Sequence, residues 1–310
     1  MKKVLFLLYA AAIIGILIPG CNGSQSGSGD AVDLKLNLQK GKTYTYLMKS
    51  DMNIAMDLMG KPMNTTANID FGFKMKVEDI DAQHNFNMTA SYDAIRFKMS
   101  AMGMDLGYDS GNLGDTTKEN TMNNMFRKVF SSMVGRSFKL TMSPKGEVLK
   151  VDSLKELVQS MADNIDVPDN MKAQMRKQMT ESFNEDQVKQ GFAQGFSIYP
   201  EKPVKVGDSW TKNVDKTMNS MKMKQEIKYT VKEIKDNNVL LDMTGIITSA
   251  MASDSTSAVK LDMSGDEKGS MELLRSTGLV SKANIDMTMK MTAAGHPMNM
   301  KVKVTLEGKE

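Results

Sequence analysis

The chain has 310 residues, 41% of them hydrophobic and 25% charged, the balance of a globular protein large enough for one big domain or two ordinary ones. A formal net charge of +3 offers no clustered basic face for nucleic acid. Two histidines and one cysteine exclude a disulfide framework and leave too few ligands for a Cys/His zinc site.

The N-terminus reads as an export signal. Met1, Lys2 and Lys3 form a positive segment, and residues 4–18 are apolar but too short to prefer a spanning helix. The segment ends in Ile18-Pro19-Gly20-Cys21, which resembles a bacterial lipobox, with Pro19 a departure at the second position before the cysteine. The resemblance implies removal of residues 1–20, acylation of Cys21 and a membrane anchor made by several acyl chains. Residues 21–32 are then the lipidated cysteine and a flexible Gly/Ser tether. No aspartate follows Cys21, and the expected location is the outer membrane, facing the periplasm.

Leu34, Leu36 and Leu38 alternate and predict a first strand, and Lys40-Gly41-Lys42 turns into a long hairpin over 44–77. On one face of that hairpin lie Tyr44, Tyr46, Met52, Ile54, Met56, Ile69, Phe71, Phe73 and Met75, because successive strand side chains point to opposite faces. Residues 59–62 make its turn. Phe86, Met88, Ala90 and Tyr92 share one parity, whereas Ile95, Phe97 and Met99 take the other. Such a slip predicts a β-bulge or a change of neighbour. Residues 103–115 read as a Gly/Asp loop. Asp105, Asp109, Asn112 and Asp115 lie there without the spacing of a calcium loop. Met122, Met125, Phe126, Val129, Phe130 and Met133 follow helical spacing, stopped at Gly135. A strand over 138–142 follows.

The middle, 153–198, is helical. Ser153 with Glu156 reads as a capping box before Leu154, Leu157, Val158 and Met161. Met171, Met175, Met179 and Phe183 mark a second helix, and Asn184 caps a third. Residues 199–310 return to strands, ending in a hairpin that carries Met287, Met289 and Met291, turns at Gly295-His296-Pro297 and runs out through Met298 and Met300. Three pairs of segments look alike: 40–44 and 206–210, 73–80 and 227–234, 138–146 and 271–278. The expectation is therefore a mainly β (α+β) protein: a long-stranded antiparallel curved sheet or half-barrel of two β repeats, 33–152 and 199–310, with the helical insert over its concave face.

The lipobox, the strand and turn at 138–146, and the run Tyr199-Pro200-Glu201-Lys202-Pro203-Val204-Lys205-Val206-Gly207-Asp208-Ser209-Trp210 together resemble a family of uncharacterised Bacteroidota lipoproteins. At the level of architecture the pattern is also similar to periplasmic lipoprotein-localisation carriers and to lipid-binding mycobacterial lipoproteins, whose concavity holds acyl chains. The first likeness brings no established activity, the second is one of fold alone, and neither brings a catalytic residue.

Methionine is the compositional anomaly, 31 residues against 11 phenylalanines. Its flexible, polarisable side chain suits a surface that accepts varied apolar shapes. Tyr44, Tyr46, Met52, Ile54, Met56, Ile69, Phe71, Phe73, Met75, Met287, Met289 and Met291 are accordingly the candidate ligand-facing residues, for a lipid, an acyl chain or an acylated partner. The alternatives are an interaction lipoprotein whose apolar face is filled by its own helices, and a Cu(I) binder built on Met99, Met102 and Met104 or on Met218, Met221 and Met223. His84 and His296 both fall in expected turns, with no nucleophile or carboxylate in pattern. No catalytic, metal or cofactor site is expected from the motifs.

Overall fold

The computed structural model describes residues 31–310 apart from 59–60, 102, 113–120, 164–172, 174–175, 178–179, 181–183, 219–220, 252–260 and 294–295. The signal segment, Cys21, most of the tether, and Met171, Met175, Met179 and Phe183 of the expected second helix lie outside the described residues, while that helix's Ala173, Arg176, Lys177 and Thr180 are helical.

The strands are β1 (Thr43–Leu58), β2 (Lys61–Ile80), β3 (Phe86–Ala101), β4 (Met104–Asp109), β5 (Ser137–Met142), β6 (Val148–Asp152), β7 (Ser209–Met218), β8 (Met221–Ile234), β9 (Asn238–Met251), β10 (Leu261–Leu274), β11 (Val280–Ala293) and β12 (His296–Lys309). All twelve form one curved antiparallel sheet that does not close into a barrel, in the order β6-β5-β3-β2-β1-β12-β11-β10-β9-β8-β7, with β4 beside β3. The first and last strands pair at its centre, from Thr45↔Lys309 to Met56↔Met298. From β1 the chain fans out to β6 at one edge, and from β7 at the other edge it returns strand by strand to β12. The connection from β6 to β7 must therefore pass from one edge of the sheet to the other.

That connection carries helices α2 (Leu154–Asp163) and α3 (Glu185–Phe196), while α1 (Thr121–Ser131) lies between β4 and β5. Leu154, Leu157, Val158 and Met161 of α2 are buried, as their spacing predicts. They join one core with Leu140 of β5 and Tyr229 and Leu241 of β8 and β9, so the two halves of the sheet curl toward a shared interior. The Asn184 side chain caps α3 by accepting from Gln187 N at 2.9 Å. Ser153 does not form the expected capping box. Its φ is 66°, outside the extended backbone an N-cap residue takes.

Several local expectations meet the structure directly. The parity slip in β3 is both a bulge and a change of neighbour: pairing jumps from Gly72↔Ala94 to Phe73↔Tyr92, and β3 pairs β5 over 86–91 but β4 over 96–101. The supposed Gly/Asp loop at 103–115 begins as β4, whose outward Asp109 carboxylate meets Arg96 at 2.9 Å. His296 is not in a turn. It opens β12, opposite Ala293.

The paired segments also fold alike. Gly41 and Gly207 both take positive φ. Gly41 N donates to Val77 O and Gly207 N to Val231 O, each at 2.8 Å. Val77 N and Val231 N bond back to Lys42 O and Asp208 O, each at 2.9 Å.

Leu34, Leu36 and Leu38 are buried but do not form a strand of the sheet. They belong to an extended strap across one end of the interior. Leu36 N donates to Pro144 O at 2.8 Å and Asn37 N to Thr277 O at 2.9 Å, so the strap ties the turn after β5 to the turn after β10. Trp210 closes the same region. Its ring stacks on Tyr229 at 5.6 Å and its Nε1–H donates to Ile198 O at 2.7 Å.

Candidate functional site

The strand register assigns every side chain to a face. The outer face is wet and charged. One row across neighbouring strands reads Lys98, Asn68, Asp51, Lys303, Asp286 and Lys268. Outward ion pairs such as Lys40–Asp79 at 2.6 Å and Lys74–Asp93 at 2.7 Å are half exposed. Solvent screens pairs of that kind, so they add little to stability. Their consequence here is polarity: a membrane-spanning barrel turns an apolar band outward, and this sheet turns its apolar side chains inward.

The inner face divides into two packed clusters. One contains Tyr44, Tyr46, Phe86, Tyr108, Phe138, Phe196, Tyr199 and Tyr229 and takes in the strap and helices α2 and α3. Among the described residues, only seven of its 37 buried side chains are methionine. Tyr46 stacks on Phe73 at 5.0 Å and meets Phe196 edge-on at 5.9 Å. Tyr44 Oη accepts from Gln39 N at 3.0 Å, and Tyr199 Oη donates to Gly278 O at 2.9 Å. Burial pushes the phenols of Tyr44, Tyr46, Tyr199 and Tyr229 above the usual tyrosine range, with the Glu267 carboxylate adding to the effect at Tyr229. This end is aromatic and filled by the protein itself.

The second cluster lies at the other end of the strands. Among the described residues it holds sixteen buried side chains, of which eight are methionine and one, Phe97, is aromatic. At the outermost level the register sets five methionines side by side on five consecutive strands: Met63 on β2, Met56 on β1, Met298 on β12, Met291 on β11 and Met263 on β10. Four strand spacings make this belt about 19 Å wide. Ser249 Oγ on β9 then accepts from Met263 N at 2.9 Å, and Met223 on β8 pairs with Ser249. Deeper levels hold Met289 beside Met300 and Met52 beside Val302.

Of the candidate ligand-facing residues, Tyr44, Tyr46 and Met75 lie in the aromatic cluster, with Phe73 packed against it. Met52, Ile54, Ile69, Met287 and Met289 lie in the methionine cluster, and Met56 and Met291 pack against it half-buried. Phe71 touches both clusters. The alternation shared one face among them correctly, but that face serves two different environments. Met99 belongs to the methionine cluster whereas Met104 is 43% exposed, so those two do not share an interior site; Met102 lies outside the described residues.

Polar groups on the inner face went unread in the sequence. Gln225, Glu267, Ser50 and Thr65 are all buried. Glu267 sits between Gly245 on β9 and Met287 on β11. Its odd parity with Met263 and Met271 was a usable signal.

Fold and site together define a half-open antiparallel sheet with a charged exterior and an apolar, methionine-lined interior at one end. The model of a family of unknown function, DUF6263, matches residues 83–280, well over half of the chain, and the chain belongs to that family. Comparison with curated proteins gave no match. Among solved structures the chain is similar to lipovitellin, in a study of lipid–protein interactions, at a TM-score of 0.46 and 8% identity over 88% of this chain and 26% of that one. The chain thus spans about a quarter of the length of that structure. It is also similar to the translocator domain of the autotransporter NalP from Neisseria meningitidis (TM-score 0.31, 6% identity, 87% and 89% of the two chains). A domain described as an outer-membrane lipoprotein-sorting protein from Vibrio parahaemolyticus scores 0.14 at 8% identity, with 83% of each chain covered. At these scores none of the three bears on function.

Proposed function

We propose that this is a lipid-anchored envelope protein that binds a lipid, an acyl chain or another apolar ligand at the methionine-lined end of its inner face. It is a binding protein, with no catalytic residue assigned. The observation that carries the reading is the segregation of side chains along the strands. Aromatic residues, helices and strap fill one end, and adaptable methionines gather at the other. The charged outer face supports an aqueous surround for the sheet. The anchor rests on the lipobox at Cys21, and with the run 199–210 it makes the chain a Bacteroidota-type lipoprotein at the outer membrane, facing the periplasm.

Two measurements test the reading. Residues 31–310, produced without the leader, are expected to take up a fluorescent fatty acid. Replacing Met289 or Met300, both fully buried, by Trp should weaken uptake at least about tenfold while circular dichroism keeps the β signature. Equal uptake in both variants, or no uptake by the parent, favours an interior filled by protein and an interaction module instead. For the anchor, Cys21→Ser should move the chain from the membrane to the soluble or unprocessed fraction and abolish incorporation of labelled palmitate. Palmitate incorporation that survives the substitution rules the lipobox reading out.

A further inference from the structure

The methionine belt has a second chemistry, which hydrophobic packing does not use. Met298 on β12 has Met56 on β1 as its direct partner on one side and Met291 on β11 on the other. Direct partners on neighbouring strands stand about 4.5–5.5 Å apart, well within the reach of a methionine side chain. The three side chains pack in one cluster, with Met56 and Met291 half-buried, so the level is open to an entering ion. His296 is the independent observation. It sits on β12 two residues before Met298, on the same face and half-buried, because the strand begins earlier than the sequence pattern suggests. The register therefore places three thioethers and an imidazole at neighbouring positions on the rim of the inner face.

These donors select the ion. Thioether and imidazole are uncharged and soft to borderline, a set that suits Cu(I) and rejects calcium or magnesium. The four donor groups themselves carry no negative charge. The cost of partly burying an ion rises steeply with its charge, and a neutral cage then favours a monovalent cation. We propose that Met56, Met291, Met298 and His296 form a binding site for a soft monovalent cation, Cu(I) or its analogue Ag(I). The site is independent of the apolar-ligand reading: leucine in place of the methionines keeps the apolar surface and removes only the sulfur.

The test uses the full chain in detergent micelles, with Cys21→Ser so that no thiol competes, and with methionine methyl groups labelled with carbon-13. One equivalent of Ag(I) in chloride-free buffer should shift the methyl signals of Met56, Met291 and Met298 and leave that of the exposed Met104 in place. Cu(I), titrated against a chromophoric chelator, should bind at least about tenfold more weakly to the Met56→Leu/Met291→Leu/Met298→Leu variant, and several-fold more weakly to His296→Ala. Met104→Leu should leave affinity unchanged. The proposal is overturned if the belt methyls do not move at stoichiometric Ag(I), if all resolved methionine methyls shift together, or if the triple variant binds like the parent. The methyl shifts are read in the parent sequence, so poor folding of the triple variant would not shelter the proposal. Loss of Ag(I) binding with fatty-acid uptake intact separates this site from the apolar one.

Discussion

Gly278→Ala is expected to lower the unfolding free energy by about 3 kcal/mol or more and to shift the urea midpoint accordingly. Gly278 has a φ of 73°, where a β-carbon is strained. The larger cost is steric. A β-carbon there would stand 2.0 Å from Lys35 O and 2.7 Å from Lys35 C, which are backbone atoms of the strap and cannot rotate away. The same residue accepts the Tyr199 hydroxyl and donates through its own N–H to Leu274 O at 2.7 Å, so moving it disturbs both contacts. Gly41→Ala is the control. Its φ of 82° brings the same backbone strain, but nothing lies within 4 Å of the added carbon, and it should cost only about 1–2 kcal/mol. Trp210 is the only tryptophan, and its fluorescence reports both transitions from the region the strap closes. Equal midpoints for the two variants would show that the strap does not hold its place against the turn.

Phe196→Ala is the second large effect, expected at about 3–5 kcal/mol. Phe196 is buried at the C-terminus of α3, edge-on to Tyr46 and stacked with Phe192 at 6.0 Å. Truncation leaves a cavity among rings that the helix, the strap and the sheet all hold in place, so little can collapse into it. Met300→Leu, fully buried at the other end, should cost less than about 1.5 kcal/mol, because the swap conserves volume and its methionine neighbours can readjust. Thermal or urea unfolding of both variants measures the contrast. A Met300→Leu cost as large as that of Phe196→Ala would mean that the methionine end is packed as rigidly as the aromatic one, and would weaken its case as a binding surface.

Much of the local structure was legible because its causes are local. Period-two alternation marked the central hairpin, and the change of parity between Tyr92 and Ile95 marked the bulge where β3 trades β5 for β4. Helical spacing located α1, and Asn184 announced the start of α3. The failures have tertiary causes. Leu34, Leu36 and Leu38 alternate like a strand, yet their backbone partners are two turns, 144 and 277, that only the folded sheet brings together. Ser153 carries the residue type of an N-cap, but the chain enters α2 directly from β6 with a backbone angle no capping box uses. The Gly/Asp composition at 103–115 hid β4 because its strand is short and half of its side chains face water.

By itself the sequence determined which side chains lie on the same side of each strand, since that follows from backbone geometry within a few residues. It also determined that this side is unusually rich in methionine. It could not say whether the two β halves form one sheet, nor which residues of different strands stand level with one another. Pairing β1 with β12 joins positions some 250 residues apart, and a one-residue slip in any ladder would send the same side chains to the opposite face. Only that register gathers Met63, Met56, Met298, Met291 and Met263 into one belt, sets His296 beside it, and separates the soft end of the interior from the aromatic end closed by the strap.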